Sequence, residues 1–207
     1  MPNMSLVVEL MERLLEVHRQ MGRPVADAFA PGLTDAEIDA QAGTFPFALP
    51  KPVRELYRWR NGVPWQKGLD RRIFWHMEMW PLAETIDSYD MRRETHGDEY
   101  FPADWYPLFN SNFCDAMVVR CQSEPLNEVE VIPFFNECPN NKPAYRSLEQ
   151  LLTTILEMFA EGSVFSIKWG QLSTDFLLLR RIGTKLNPDM APFWNDPWLP
   201  YGGLEDQ

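Results

Sequence analysis

The sequence has few cysteines and no long apolar run. Its three cysteines are Cys114, Cys121 and Cys138, and the first two are seven residues apart, a spacing that no zinc ribbon uses. We expect reduced thiols, because disulfides are rare inside cells. No stretch approaches the roughly 20 apolar residues of a membrane span. Glu9 and Glu12 interrupt the segment where a signal peptide has its apolar region. We therefore expect a cytoplasmic protein without membrane association.

Basic residues are also scarce relative to acidic ones. The 207 residues include 30 Asp or Glu and 19 Lys or Arg, and the net charge is −11. This balance argues against charge-driven nucleic-acid binding, which needs a cationic face to displace counterions. The content of 45% hydrophobic residues is enough for a core. We expect one domain over residues 1–207, with a helical extension at 1–30 and an irregular strap at 187–207.

Signals for catalysis are weak. The sequence contains no glycine-rich phosphate loop and no nucleophile elbow. His18 falls in an apolar helical stripe, while His76 and His96 have acidic neighbours but no HExxH or HxH spacing. Nothing local marks Cys114 or Cys138 as an activated nucleophile. We expect a non-enzymatic protein with no catalytic residue, cofactor or metal; a metal-dependent hydrolase is the enzymatic alternative.

Several helices have clear sequence signals. Thr34 to Glu37 is a capping box, in which the Thr hydroxyl accepts a backbone N–H and the Glu side chain reaches back to the cap. Ser147 to Gln150 has the same pattern and precedes a helix that ends at Gly162. Spacing of apolar residues predicts further helices at 6–21, 53–60 and 175–186, the last with a weak point at Gly183, and a short helix or turn at 82–89.

Strand patterns lie in the middle of the chain, between the two groups of helices. The polar, acidic stretch at 92–104 is typical of a loop or a frayed helix. The order of helices, then strands, then helices predicts an α+β fold with a mostly antiparallel central sheet flanked by helices. The expected strands are 72–77, 116–121, 128–135 and, as a strand or an irregular bridge, 164–169.

A series of short motifs resembles the SMI1/KNR4 (SUKH) superfamily over roughly residues 30–195. The family opens with a T-x-x-E-I helix, an LP pair and an hxxLYxxxNG helix. The matching segments here are Thr34 to Ile38, Leu49-Pro50, and Val53 to Gly62. Later segments are similar to the family's next strand pair, its S-F-x-x-F-L helix and its L-N-P…Y-W ending: Trp105 to Val119, Ser147 to Leu152, and Leu186 to Trp194.

The chain departs from the family pattern at two internal places, and its first helix and its tail are extra. Cys114-Asp115 stands where the family usually has Gly-Asp, and the insert around 84–104 is long. The resemblance implies a central antiparallel sheet flanked by helices and a non-enzymatic role. Bacterial members look like immunity proteins that bind and neutralise toxins, often nucleases, whereas some eukaryotic relatives act as regulatory scaffolds. Both roles remain open: an immunity protein, or a scaffold module with a non-toxin partner.

The acidic residues are concentrated between positions 84 and 137, where twelve acids accompany three arginines. A nuclease toxin needs a cationic face to hold phosphates, and carboxylates facing it would speed association. Nearby aromatic side chains would anchor such an interface. The alternative is that the acids cover a solvated face and the aromatics lie in the core. The expected partner is a protein, in particular a basic toxin domain. The candidate partner-binding residues are Trp65, Trp75, Glu84, Asp87, Tyr89, Asp90, Glu94, Asp98, Glu99 and Asp104.

Overall fold

The central feature of the fold is a three-stranded sheet with helices before and after it in the chain. The structure is a computed structural model that describes residues 4–111, 115–136, 142–166 and 172–196. The helices are α1 (Leu6–Gln20), α2 (Asp35–Ala42), α3 (Lys51–Trp59), α4 (Leu82–Tyr100), α5 (Leu148–Ala160), α6 (Phe176–Leu186) and α7 (Ala191–Trp194), with 3-10 turns at Pro24–Asp27 and Pro188–Met190. The strands are β1 (Trp105–Asn110), β2 (Ala116–Arg120), β3 (Val131–Phe134), β4 (Val164–Ser166) and β5 (Leu172–Thr174).

The sheet is antiparallel, in the order β1-β2-β3. Val119 of β2 pairs with Tyr106 of β1 and with Val131 of β3. A single bridge from Glu78 to Asn110 extends the β1 side. Strands β4 and β5 form a separate antiparallel pair. This architecture confirms the predicted α+β fold with an antiparallel sheet flanked by helices.

The helices pack on the sheet and on one another. Helix α4 contacts β1 and α2, whereas α5 contacts α1 and α6. All six residues of β1 are buried, as are all four of β3. Because both faces of the sheet are covered, its strands are apolar almost throughout and do not alternate with polar residues.

The two predicted capping boxes have different outcomes. At Thr34 both halves form: the hydroxyl accepts from the backbone N–H of Glu37, and the Glu37 carboxylate accepts from the backbone N–H of Thr34. At Ser147 the hydroxyl accepts from the backbone N–H of Gln150. The Gln150 side chain, however, donates to the Leu186 carbonyl at 2.8 Å. A tertiary contact to the end of α6 thus replaces the second half of that box.

Three predicted segments differ from the structure near the middle of the chain. Residues 72–77 are not a strand: a single Phe74–Met77 bridge closes a turn in which Trp75 has φ 48°. Residues 82–100 are one helix, kinked at Gly97, where the sequence predicted a short helix or turn at 82–89 and a loop or a frayed helix from 92. The third strand begins at Val131 and not at 128. Glu128 lies before it and is exposed.

The C-terminal prediction is also corrected in part. Helix α6 is followed by the 3-10 turn Pro188–Met190 and by α7, so residues 188–194 are helical and not an irregular strap. Residues 197–207 and the predicted bridge at 167–169 lie outside the described residues, as do Cys114 and Cys138. Cys121 is buried, and burial raises the pKa of its thiol.

His18 joins α1 to the loop after α3. Its ring is buried, with Nε2 2.7 Å from the Ile73 carbonyl oxygen and Nδ1 3.0 Å from Nη1 of Arg23. Arg23 in turn contacts the Asp70 carboxylate at 2.9 Å. Burial, assisted by the Arg23 charge, lowers the pKa of His18 to about 4. The ring is therefore neutral at pH 7, donating through Nε2 to Ile73 and accepting at Nδ1 from Arg23.

Gly183 is a contact point and not a weakness of α6. A Cβ at this position would lie 2.2 Å from a ring carbon of Trp194. The Trp194 ring is fully buried, and its Nε1 donates to the Ala144 carbonyl at 2.9 Å. Its ring also packs edge-on against Tyr145. These contacts hold the indole in place, so the absence of a side chain at Gly183 is what lets α7 pack on α6.

We predict that His18 makes the protein sensitive to acid. The folded-state pKa of about 4 lies below the ordinary value of 6.5, so the unfolded chain binds more protons between those pH values. This contribution to stability is complete above pH 6.5 and is lost as the pH falls towards 4, by about 3 kcal/mol in total. His18→Gln keeps an N–H donor but does not titrate, so its free energy of unfolding should fall less over that interval. Urea denaturation at a series of pH values measures both curves, and parallel curves would contradict the assignment.

We predict that Gly183→Ala destabilises the protein. Helix propensity alone would favour alanine by about 1 kcal/mol. Overpacking against the fixed Trp194 ring costs about 1–3 kcal/mol, so the net effect should be a loss. Thr184→Ala, at the half-buried next position, should stay within about 0.5 kcal/mol of the parent. Chemical denaturation gives both values, and a Gly183→Ala protein as stable as the parent would show that α7 is not packed as described.

Candidate functional site

Helix α4 carries most of the predicted site residues, and its inward face determines which of them reach solvent. Thr85, Ser88 and Arg92 face inward at helical spacing and are buried. The Ser88 hydroxyl donates to Oδ1 of Asn110 at 2.9 Å, and Arg92 donates to the Asp115 carbonyl at 3.0 Å. These polar contacts fix the rotation of the helix about its axis. The opposite face is therefore held towards solvent.

The first turn of α4 is attached to a buried arginine. Arg71 has a side chain that is 7% exposed and lies 2.8 Å from the Glu78 carboxylate and 3.2 Å from that of Glu84. It also donates to the Val63 carbonyl at 3.1 Å and lies over the Trp80 ring, 5.4 Å from its centroid. Glu84, one of the predicted partner-binding residues, therefore shares the charge of an internal cation with Glu78.

Two further predicted acids near the end of α4 also have internal partners. Asp98 contacts Arg93, which additionally donates to the Phe101 carbonyl. Asp104 lies 3.9 Å from Arg120. These pairs are exposed or half-buried, so they contribute little to stability. They nevertheless reduce the negative charge that Asp98 and Asp104 offer to a partner.

The remaining predicted acids form a free acidic surface. Asp87, Asp90 and Glu94 are exposed along one side of α4, and within the described residues none has an ion-pair partner. At 1.5 Å per residue they span about 10 Å along the helix axis. Met91, 42% exposed, lies among them. We call Asp87, Asp90, Met91 and Glu94 the α4 acidic face; Glu99 is a further exposed acid in the last turn.

The predicted aromatic anchors separate into one surface residue and two core residues. Trp65 is 71% exposed, whereas Trp75 and Tyr89 are each 6% exposed. Trp75 packs edge-on against Phe74, and the Tyr89 hydroxyl donates to the Ala103 carbonyl at 2.8 Å. Trp75 and Tyr89 therefore belong to the core, and only Trp65 is left to contact a partner.

Trp65 is connected to the start of α4 through a short path. It is two residues from Val63, whose carbonyl accepts from the same Arg71 guanidinium that contacts Glu84. The loop that carries Trp65 thus begins at Val63, which shares the Arg71 guanidinium with Glu84 in the first turn of α4. Sequence reasoning identified Trp65 and the acids but missed Met91 and Arg71. A helical prediction across 82–100 would have placed Met91 on the outer face.

The histidines lie in structural contacts. Nε2 of His76 is 3.1 Å from a carboxylate oxygen of Asp115, and the other oxygen accepts the backbone N–H of Asn136. Asp115 thereby joins two loops. His96 packs edge-on against Phe134, and burial lowers its pKa. Across the described ranges, no three His, Cys, Asp or Glu side chains are grouped as metal ligands.

A helix long and apolar enough to cross a membrane is not found in the described part of the chain.

Two comparisons with known proteins bear on this surface. A search of curated proteins finds no match to the chain. The model of the SMI1/KNR4 family (SUKH-1) matches residues 32–154. That region includes α4, the three-stranded sheet and Trp65, and it ends within α5. The match is consistent with a protein-binding role of the immunity type. Since it covers more than half of the sequence, the chain belongs to the SMI1/KNR4 family (SUKH-1).

Proposed function

We propose that this protein is an immunity protein that binds a bacterial toxin domain and covers its active face. The observation that carries the proposal is the α4 acidic face: three exposed carboxylates on one side of a helix, without a neutralising cation among the described residues. Family membership supports a protein partner. This charge arrangement complements a cationic partner surface, such as the phosphate-binding face of a nuclease.

The charges favour fast association more than tight binding. Complementary potentials on two proteins raise the association rate by about 10- to 1,000-fold, and salt screens the effect. Affinity comes mainly from a few buried side chains, in which tryptophan is over-represented. Met91 supplies exposed apolar area among the carboxylates, and Trp65 is a second exposed apolar side chain, on the loop that follows Val63. The proposed division is that the α4 acidic face orients the toxin and Trp65 anchors it.

A second candidate is a regulatory or scaffold module with a non-toxin partner. Trp65 favours it, because a side chain that is 71% exposed can anchor a partner of any charge. The two candidates differ in their genetic setting and in their partner. An immunity gene lies beside the gene of its toxin, and the toxin domain co-purifies with the protein and is inactivated by it. A scaffold module would leave that neighbouring product unbound and active.

We predict that Asp87→Lys, Asp90→Lys and Glu94→Lys together slow association with the toxin domain encoded beside this gene. The association rate constant should fall by roughly 10- to 100-fold, and its dependence on salt should become flatter. Dissociation should change less, since exposed charges contribute mainly to encounter. Stopped-flow binding at several salt concentrations measures these quantities.

The matched control is Glu124→Lys, Glu128→Lys and Glu161→Lys. These three acids are exposed, lie outside α4 and change the net charge by the same amount. Their association rate should stay within about threefold of the parent if the local face matters. Equal slowing in both triple variants would show that only net charge counts and would reject the α4 acidic face as the contact.

We predict that Trp65→Ala weakens the same complex by at least about tenfold, chiefly by faster dissociation. The indole is 71% exposed, so its removal should leave the free energy of unfolding within about 0.5 kcal/mol of the parent. Surface plasmon resonance with the same toxin domain gives the dissociation rate. An unchanged rate would place Trp65 outside the interface, whatever the outcome for α4.

A further inference from the structure

Helix α6 presents a surface of opposite character to α4. Leu177, Arg181 and Lys185 recur every four residues, so they lie on one side of the helix, and all three are exposed. Leu177 is 55% exposed. Among the described residues, neither Arg181 nor Lys185 has an ion-pair partner. We call these three residues the α6 basic stripe.

Free cations grouped in this way are unusual for the chain, whose net charge is −11. Most of its arginines are used internally. On α6 itself, the neighbouring Arg180 donates to the Trp194 carbonyl at 3.0 Å. The positive charges and the apolar area of the α6 basic stripe are therefore available for contacts outside the described part of the fold. The residues that pair with acids elsewhere are Arg19, Arg23, Arg54, Arg58, Arg71, Arg72, Arg93, Arg120, Lys142 and Arg146.

We propose that the α6 basic stripe docks onto the α4 acidic face of a second copy of this chain. The spacings agree: Arg181 and Lys185 are about 6 Å apart along their helix, as are Asp90 and Glu94 along theirs. Two helices lying side by side can therefore pair both cations at once. Leu177 on one copy and Met91 on the other supply the apolar part of the contact.

The contact joins two different surfaces and is head-to-tail. Helix α4 packs on β1 and α2, whereas α6 packs on α5 and α7. Each associated pair therefore keeps one free α4 acidic face and one free α6 basic stripe, which leads to rings or longer chains. A contact between two single helix faces is smaller than the roughly 1,200–2,000 Å² of a stable interface, so association is weak and reversible.

Net charge opposes the association but does not prevent it. Two copies of charge −11 repel one another. At about 0.15 M salt this repulsion is screened beyond about 8 Å, so the charges in direct contact dominate. The proposal does not require the toxin. It implies that, at high protein concentration, the α6 basic stripe of one copy covers the α4 acidic face of another. A basic partner then competes with the second copy for that face.

Sedimentation equilibrium of the full chain, from about 5 µM to about 1 mM in about 0.15 M salt, tests the proposal. The mean mass should rise above 24.2 kDa with concentration. Arg181→Glu with Lys185→Glu should raise the dissociation constant at least about tenfold, as should the lysine triple variant of α4. Arg13→Glu with Lys67→Glu changes the charge equally at other exposed positions and should associate like the parent.

Mixing the two reversed proteins gives the decisive result. One then has an acidic α6 and the other a basic α4, so the mixture should form pairs that neither protein forms alone. A mass of 24.2 kDa at every concentration of the parent would overturn the proposal. Association that survives the α6 reversal, or that the Arg13/Lys67 control abolishes equally, would also overturn it. None of these outcomes depends on toxin binding, so the proposed function is tested separately.

Discussion

The outer surface of the protein depends on the contacts that the buried Arg71 guanidinium makes. Its ion pair with Glu78 has both side chains at 7% exposure or less, and removing two charges from water carries a large desolvation cost. Further partners offset that cost, namely the Val63 carbonyl and the Trp80 ring, whose N–H also donates to Glu78. Glu78 bridges to Asn110 at the edge of the sheet through its backbone. The same arginine therefore ties the sheet, the loop of Trp65 and, through Glu84, the start of α4.

A second buried arginine explains why α4 is hard to recognise in the sequence. Arg92 is 1% exposed and lies against Asn110 and Asp115, and its helical neighbours Thr85 and Ser88 also face inward. A helix is normally predicted from an apolar stripe every three to four residues. Here the buried side of the helix mixes the apolar Leu82 and Tyr89 with the polar Thr85, Ser88 and Arg92, so the apolar stripe is too sparse to predict a helix over its whole length. Where local signals decide, as at Thr34 or in the apolar β2, sequence and structure agree.

The aromatic residues show the same limit for the candidate surface. Trp65 and Trp75 are ten residues apart, yet one is exposed and the other is in the core. Trp75 is buried because the chain reverses at that residue, with φ 48°, and brings the indole against Phe74. A single sequence gives no signal for that reversal, since the run from 72 to 77 has the composition of a strand. Burial of an aromatic side chain follows from the path of the chain, which residue type does not determine.

Charge available for recognition is what remains after internal pairs are formed. The acids at 84–104 read as one uniform patch in the sequence, but Glu84, Asp98 and Asp104 contact arginines in the structure. Within 84–104 four carboxylates are unpaired among the described residues, and three of them, those of Asp87, Asp90 and Glu94, lie along one side of α4. Because salt screens charges beyond about 8 Å, a partner responds to this local arrangement more than to the net charge. In the proposed complex, selectivity then depends on the spacing of the carboxylates along α4, and so on the buried arginines that hold the helix in this orientation.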